Sequence, residues 1–144
     1  METLQELMKK VLADTFAMYL KSHNYHWNVE GPMFPQLHEF FGNLYEELHG
    51  AVDPIAEEIR SLDAYAPGSF TRFLELTDIE DEMNIPMAIE MVSRLREDNQ
   101  KVLTTLNMSF ALANEFNLQG LADFIAGRID VHNKHAWMLR SILK

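Results

Sequence analysis

A run of apolar residues with helical spacing constrains this chain more than any other feature of its sequence. Nine positions step by three or four throughout: Phe34, Leu37, Phe41, Leu44, Leu48, Val52, Ile55, Ile59 and Leu62. At about 100° per residue they fall in a band roughly 80° wide, which is typical of the buried face of one helix. Beside it runs a stripe, roughly 100° wide on the same wheel, made of His38, Gly42, Glu46, His49, Asp53 and Glu57. The pattern predicts a helix from about Phe34 to Leu62 that carries an apolar stripe and a polar stripe side by side.

The regions on either side of this helix also show helical spacing. Apolar residues recur every three or four positions from Thr3 to Val29, and Gly31-Pro32 then interrupts the pattern. We expect a last helix to follow Asn117–Gly120 and to run to the end of the chain. The sequence shows no alternation typical of strands, and it contains no internal repeat.

The connection after the second helix is too long to lack structure in a compact domain. Ser69, followed by apolar residues up to Leu76, predicts the capped start of a short helix. Pro86 suits the first turn of a further helix that reaches about Glu115. The expected fold is therefore all-α: an up-down-up-down four-helix bundle with a short extra helix between helices two and three.

Composition limits the classes of function. The chain has 144 residues and 47% hydrophobic content, enough for a single domain over residues 1–144 with its own core. It contains no cysteine, so disulfides, thiol chemistry and cysteine-bound zinc are excluded. The sequence opens without a signal pattern and contains no apolar run long enough for a membrane span, and we expect a cytoplasmic protein.

The charge of the chain is strongly acidic, with a formal net value of -10. Such a chain disfavours broad contact with phosphate backbones and favours the attraction of cations. Solubility alone also accounts for acidity in many proteins, and this interpretation stays open.

Four residues are candidate metal ligands. His26 and His38 lie almost symmetrically about Pro32, so an antiparallel hairpin of the first two helices sets them side by side. Asp53 and Glu57, at i and i+4, share one helix face. Fifteen residues of helix separate His38 from Asp53, about 22 Å at 1.5 Å per residue, so one chain holds two halves of a site.

A two-fold axis near Glu46 would join the halves of two copies, and it would make two identical sites per dimer. Imidazole and carboxylate ligands without sulfur suit iron, and they also suit zinc or manganese. The alternatives are hydrogen-bonded packing histidines and a solvated acidic pair, and spacing alone does not choose between them.

A resemblance adds to this interpretation. The run from Tyr25 to Val29, Leu37-His38, Asp53 and the run from Ile55 to Ile59 resemble the signature of the Dps family, the miniature ferritins. The resemblance implies a homo-oligomeric shell of twelve subunits that oxidises Fe(II), typically with hydrogen peroxide, and stores a ferric core. It also implies that His26 and His38 bind iron in one subunit and that Asp53 and Glu57 come from its neighbour. Trp27 resembles an aromatic residue beside the family's centre, and packing of the hairpin explains it equally well.

The chain departs from the family at Gly42, where an aspartate is usual. Glu46, one turn further on, is our candidate substitute ligand, and Asp123 resembles a residue of the family's iron-entry pore. Two alternatives to full ferroxidase activity stay open: a sequestering shell whose centre is weakened by the loss of this aspartate, and a structural DNA-protecting protein. The acidic charge and the lack of a basic tail disfavour the second, and we expect no direct DNA binding.

The remaining histidines carry no such support. Glu46 and His49 match the Glu-x-x-His of di-iron bundles, but the last helix contains no glutamate to complete an intrasubunit centre. We interpret His23, His132 and His135 as surface or packing residues.

Overall fold

The computed structural model describes all residues from Met1 to Lys144. It contains five helices and no strand, in the order α1 (Glu2–Asn28), α2 (Phe34–Ser61), α3 (Phe70–Leu76), α4 (Ala88–Glu115) and α5 (Gln119–Ile142). The four long helices surround one cluster of 25 buried apolar residues, and α3 lies against α1 in the connection between α2 and α4. The prediction of an all-α bundle with a short extra helix is confirmed.

The direction of the helices differs from the expected up-down-up-down order. Helix α1 runs antiparallel to α2: Gln5, near the start of α1, donates a hydrogen bond to the carbonyl oxygen of Leu62 at the end of α2. It also runs antiparallel to α4: Lys10 contacts Thr105, whereas Lys21, further along α1, contacts Asp98, which lies earlier in α4. Helices α2 and α4 therefore point the same way, and the order is up-down-down-up. The long connection through α3 makes this possible, since it carries the chain back along the bundle.

This connection is fixed to α1 by one buried carboxylate. Asp14 is fully buried, and it accepts hydrogen bonds from Thr77 Oγ1 at 2.6 Å and from the backbone N–H of Asp78 at 3.0 Å. Lys10 neutralises its charge at 2.8 Å. A buried carboxylate without such partners would lower the stability of the fold. The hydrogen bonds of Asp14 therefore fix the residues directly after α3 to helix α1.

The predicted ends of the helices hold to within two residues, and the last helix begins at Gln119, inside the segment that was expected to precede it. Ser69 caps α3 by accepting a hydrogen bond from the backbone N–H of Arg72 at 3.2 Å. Asn117, which ends α4, adopts a φ of 57°, and the next residue bonds back to Ala113, as in a Schellman motif. Pro86 does not lie in the first turn of α4, because the helix begins two residues later.

One position of the predicted apolar stripe is exposed, and two others, Val52 and Leu62, are half-buried. Phe34 begins α2 and stays 41% exposed, with its ring stacked on His38 at a centroid distance of 5.1 Å. The buried part of the stripe starts at Leu37 and ends at Ile59. The polar stripe beside it faces away from the bundle, so its side chains are available to a ligand or to another subunit.

None of the helices has the length and apolar character that a membrane crossing requires.

Candidate metal centre

The turn between α1 and α2 brings His26 and His38 into a reciprocal pair. The His26 Nδ1 lies 2.7 Å from the carbonyl oxygen of His38, and the His38 Nδ1 lies 2.7 Å from the carbonyl oxygen of His26. The two rings stack with their centroids 3.8 Å apart and their planes 17° apart. The expected side-by-side placement of these histidines is therefore present in one chain.

The hydrogen bonds of this pair determine which nitrogen can bind a metal. A carbonyl oxygen only accepts hydrogen bonds, so Nδ1 must carry the proton in both rings. In the neutral imidazole the lone pair then belongs to Nε2. Metal-bound histidines commonly have this arrangement, with the second nitrogen donating to a carbonyl or carboxylate. The pair thus presents two oriented Nε2 donors, which fit a cation such as Fe(II), Zn(II) or Mn(II).

An aromatic cluster lies beside the pair. The Tyr45 ring is 5.3 Å from the ring of His26 and stacks on His23 at 3.8 Å with nearly parallel planes. The Trp27 ring also packs against His23, with the two ring centroids 4.0 Å apart. Tyr19 Oη lies 3.1 Å from the Nδ1 of His23. The interpretation of His23 as a packing residue holds, but its position next to the histidine pair was not foreseen. The i, i+4 spacing of Tyr19, His23 and Trp27 on one helix face is the signal that could have revealed it.

The predicted acidic half lies elsewhere on α2. Asp53 and Glu57 are exposed, one turn apart, and Pro54 between them removes one backbone hydrogen bond of the helix. No group of three or more histidine, aspartate or glutamate side chains is placed to hold a metal within one chain. This is the arrangement expected if each chain carries two separate halves. That a partner completes the site stays a prediction, as does the role of Glu46, which is exposed.

A second polar cluster lies inside the bundle, between α2, α4 and α5. Arg128 binds Glu47 through both terminal nitrogens, at 2.6 and 3.1 Å, and His135 donates to the same carboxylate at 2.8 Å. Arg128 also donates to His132, whose Nδ1 bonds Asn99 at 2.7 Å. His132 and His135 are thus buried members of a network. The guanidinium occupies this interior region with a positive charge, which disfavours an intrasubunit metal site.

An apolar groove lies between α1, α3 and the segment after α3. Its volume is about 450 Å³, and its walls include the exposed Trp27, Phe70 and Leu74. The groove reaches the aromatic cluster through Trp27.

Comparison with known proteins identifies the family. The profile of the Ferritin-like domain matches residues 5–144. DNA protection during starvation protein 2 of Bacillus anthracis is 33% identical over 138 residues, which cover 96% of this chain and 94% of that protein. The crystal structure of a Dps protein from Bacillus brevis superposes with a TM-score of 0.94 and 31% identity, over 99% of this chain and 96% of that one. The chain belongs to the Dps family.

A further Dps structure, from Vibrio cholerae O1, is described as a member of a broad superfamily of ferritin-like diiron-carboxylate proteins. It superposes with a TM-score of 0.95 and 26% identity, and the match covers 99% of this Dps chain and 90% of that one. Ferritin-like architecture, with its crossover between the two helix pairs, is therefore shared over the whole chain.

Gly42 lies directly against the histidine pair in this Dps chain. A Cβ atom added at Gly42 would stand 3.1 Å from both Cε1 and Nδ1 of His26. The absence of a side chain therefore has a spatial consequence besides the loss of a possible carboxylate. Asp123 is exposed near the start of α5, and its role in a pore stays a prediction.

The interior network lowers the pKa of two of its members, His132 and Glu47. Burial lowers the pKa of His132 well below its usual value, and the charge of Arg128 lowers it further. Partial burial raises the pKa of Glu47, but hydrogen bonds from His135 and Arg128 outweigh this effect and lower the pKa to about 2. In both residues the folded state binds its proton less readily than the unfolded state does.

We predict that the free energy of unfolding falls as the pH drops below 6.5, the ordinary pKa of a histidine side chain. The unfolded chain gains a proton at His132 there while the folded chain does not, which costs up to about 1.4 kcal/mol per pH unit. A further loss begins near pH 4.5, where unfolded Glu47 takes up its proton. Urea unfolding at several pH values measures both effects. The His132→Gln variant should show a flatter slope between pH 6.5 and 4.5, and an equal slope in both proteins would contradict the assignment.

Proposed function

We propose that this Dps protein oxidises Fe(II), with hydrogen peroxide as the oxidant, and stores the ferric product in a hollow homo-oligomeric shell that protects against oxidative damage. The observation that carries the proposal is the reciprocal histidine pair, in which both Nδ1 atoms are bound to carbonyl oxygens and both Nε2 atoms stay free to bind a cation. The description of the Vibrio cholerae relative as a diiron-carboxylate protein supports iron as the substrate. The name of the Bacillus anthracis relative supports a protective role.

In this proposal His26 and His38 bind Fe(II) as neutral ligands, and the carboxylates of Asp53 and Glu57 come from the partner subunit. Neutral imidazole and carboxylate oxygen together suit iron, and they do not exclude zinc or manganese. The two negative charges offset the additional positive charge of the ferric product, and they therefore favour oxidation of the bound ion. Two Fe(II), one hydrogen peroxide and two protons give two Fe(III) and two water molecules.

The proposed assembly follows from the position of the two halves on α2. An antiparallel pair of these helices, related by a two-fold axis near Glu46, places the histidines of one subunit against the carboxylates of the other. Because such an interface is self-complementary, it creates two identical sites per dimer. We propose that dimers of this kind form a dodecamer, with Asp123 in a pore through which iron enters. The cysteine-free composition fits the reducing cytoplasm, where we place the shell.

A second candidate function is iron sequestration with weak ferroxidase activity. It is favoured by Gly42, which supplies no carboxylate where the family usually has an aspartate. In that case one iron position is firm, and a second depends on Glu46 or water. A structural role in protecting DNA is disfavoured by the net charge of -10, and we expect no direct DNA binding.

We predict that subunits with defects in different halves complement one another. His38→Ala should lower the fast rate of Fe(II) oxidation by at least about 100-fold, because it removes a side chain that binds the iron, and even the loss of a group that only hydrogen-bonds a metal ligand costs about 10- to 100-fold. Glu57→Ala should act in the same way. Stopped-flow measurement of near-ultraviolet absorbance after peroxide addition follows the reaction.

Unfolding and refolding the two variants together should restore about one quarter of the sites. Half of the dimers are then mixed, and one of the two sites in each mixed dimer receives two intact halves. The matched control combines His38→Ala with His26→Ala, whose defects lie in the same half and should restore nothing. Equal recovery in both mixtures would contradict sharing of the site between subunits.

We also predict one tight Fe(II) per subunit in an anaerobic titration, because Gly42 leaves the second position without its usual carboxylate. The native protein, freed of metal with a chelator, is titrated and the bound iron is counted. Two sites of equal affinity per subunit would indicate a complete dinuclear centre, and they would rule out the sequestration alternative.

A further inference from the structure

We propose that Gly42 is a positioning residue for His26: the empty volume above its Cα is the seat of the imidazole ring. A side chain added there would crowd that ring and weaken metal binding by His26. The consequence for metal binding rests on the proposed function, whereas the contact itself does not.

The contact distinguishes Gly42 from every other glycine. A Cβ at position 42 would lie 3.1 Å from two atoms of the His26 ring, whereas ordinary contacts of this kind are 3.4 to 4 Å long. A Cβ at Gly50, Gly120 or Gly127, the other helical glycines, would meet nothing within 4 Å. Of all six glycines, only Gly42 has a neighbour that an added methyl group would crowd.

The backbone does not explain a glycine at this position. Gly31 is the only glycine with a positive φ, and Gly42 lies in the middle of α2 with helical conformation. Glycine is the least favourable ordinary residue in a helix interior, apart from proline. Alanine would therefore stabilise the helix more than glycine does, but its methyl group would crowd the ring of His26.

The His26 ring has little freedom to move away from a side chain at position 42. Its Nδ1 is held by the carbonyl oxygen of His38 at 2.7 Å, and its face stacks on the His38 ring at 3.8 Å. Tyr45 lies 5.3 Å from the ring centroid and limits movement on another side. A displacement of a few tenths of an ångström therefore lengthens the hydrogen bond or opens the stack. In either case the Nε2 of His26 loses the orientation that these contacts give it.

A double-mutant cycle on the metal-free protein tests the contact. Gly127→Ala, on the exposed surface of α5, reports the ordinary gain from replacing a helical glycine, a rise in Tm of about 2 to 4 °C. Gly42→Ala should fall short of this rise or lower the Tm, because its methyl group crowds His26. In a His26→Ala background, where the ring is gone, Gly42→Ala should give the full rise. An equal rise in both backgrounds would overturn the proposal.

Co(II) binding supplies a readout that general destabilisation does not move. In equilibrium dialysis with the full protein, Gly42→Ala should weaken Co(II) binding about 10-fold or more, as changes beside metal ligands do, and Gly127→Ala should leave it unchanged. An unchanged Co(II) affinity in Gly42→Ala would overturn the proposal. A native protein that binds no Co(II) would count against the proposed function. The double-mutant cycle of Tm values tests the contact between Gly42 and His26 independently of metal binding.

Discussion

The site depends on the reciprocal hydrogen bonds between His26 and His38. The carbonyl oxygen of His26 lies in the last turn of α1, where no helical N–H is available to it, and the imidazole of His38 donates to it instead. His26 donates in turn to the carbonyl oxygen of His38. One pair of interactions thus closes the α1–α2 hairpin, fixes the proton on both Nδ1 atoms and leaves both Nε2 atoms free. The same two hydrogen bonds therefore stabilise the hairpin and prepare both histidines to bind a metal.

The interior of the bundle is unavailable for this chemistry, which explains why the candidate centre lies on its surface. The salt bridge between Arg128 and Glu47 joins α2 to α5, and His132 links it to α4 through Asn99. These groups use most of one another's hydrogen-bonding capacity, although the buried Nε of Arg128 has no partner. Removal of any one member would leave further buried polar groups unpaired, at a cost to the stability of the fold. A cation would have to displace Arg128, so the ligands that remain are those of the exposed polar stripe.

The sequence predicted much of the fold because helical periodicity and turn residues are local signals. It also predicted the contact of His26 with His38, since a short turn fixes the register of a hairpin. It could not predict that α2 and α4 point the same way, because that depends on tertiary contacts such as those of Asp14. The sequence left open whether His132 and His135 lie on the surface or pack inside, and it did not predict the packing of Gly42 against His26, for the same reason. Local spacing does not record which helix faces which.

The central claim is that the metal position lies between subunits at the histidine pair. It is tested most directly by soaking crystals of the assembled protein in Fe(II) and locating iron from its anomalous scattering. The account predicts one strong peak per subunit, bound by the Nε2 atoms of His26 and His38 and facing Asp53 and Glu57 of the partner subunit. A strong peak inside the bundle, beside Glu47 and His135 of a single subunit, would contradict it.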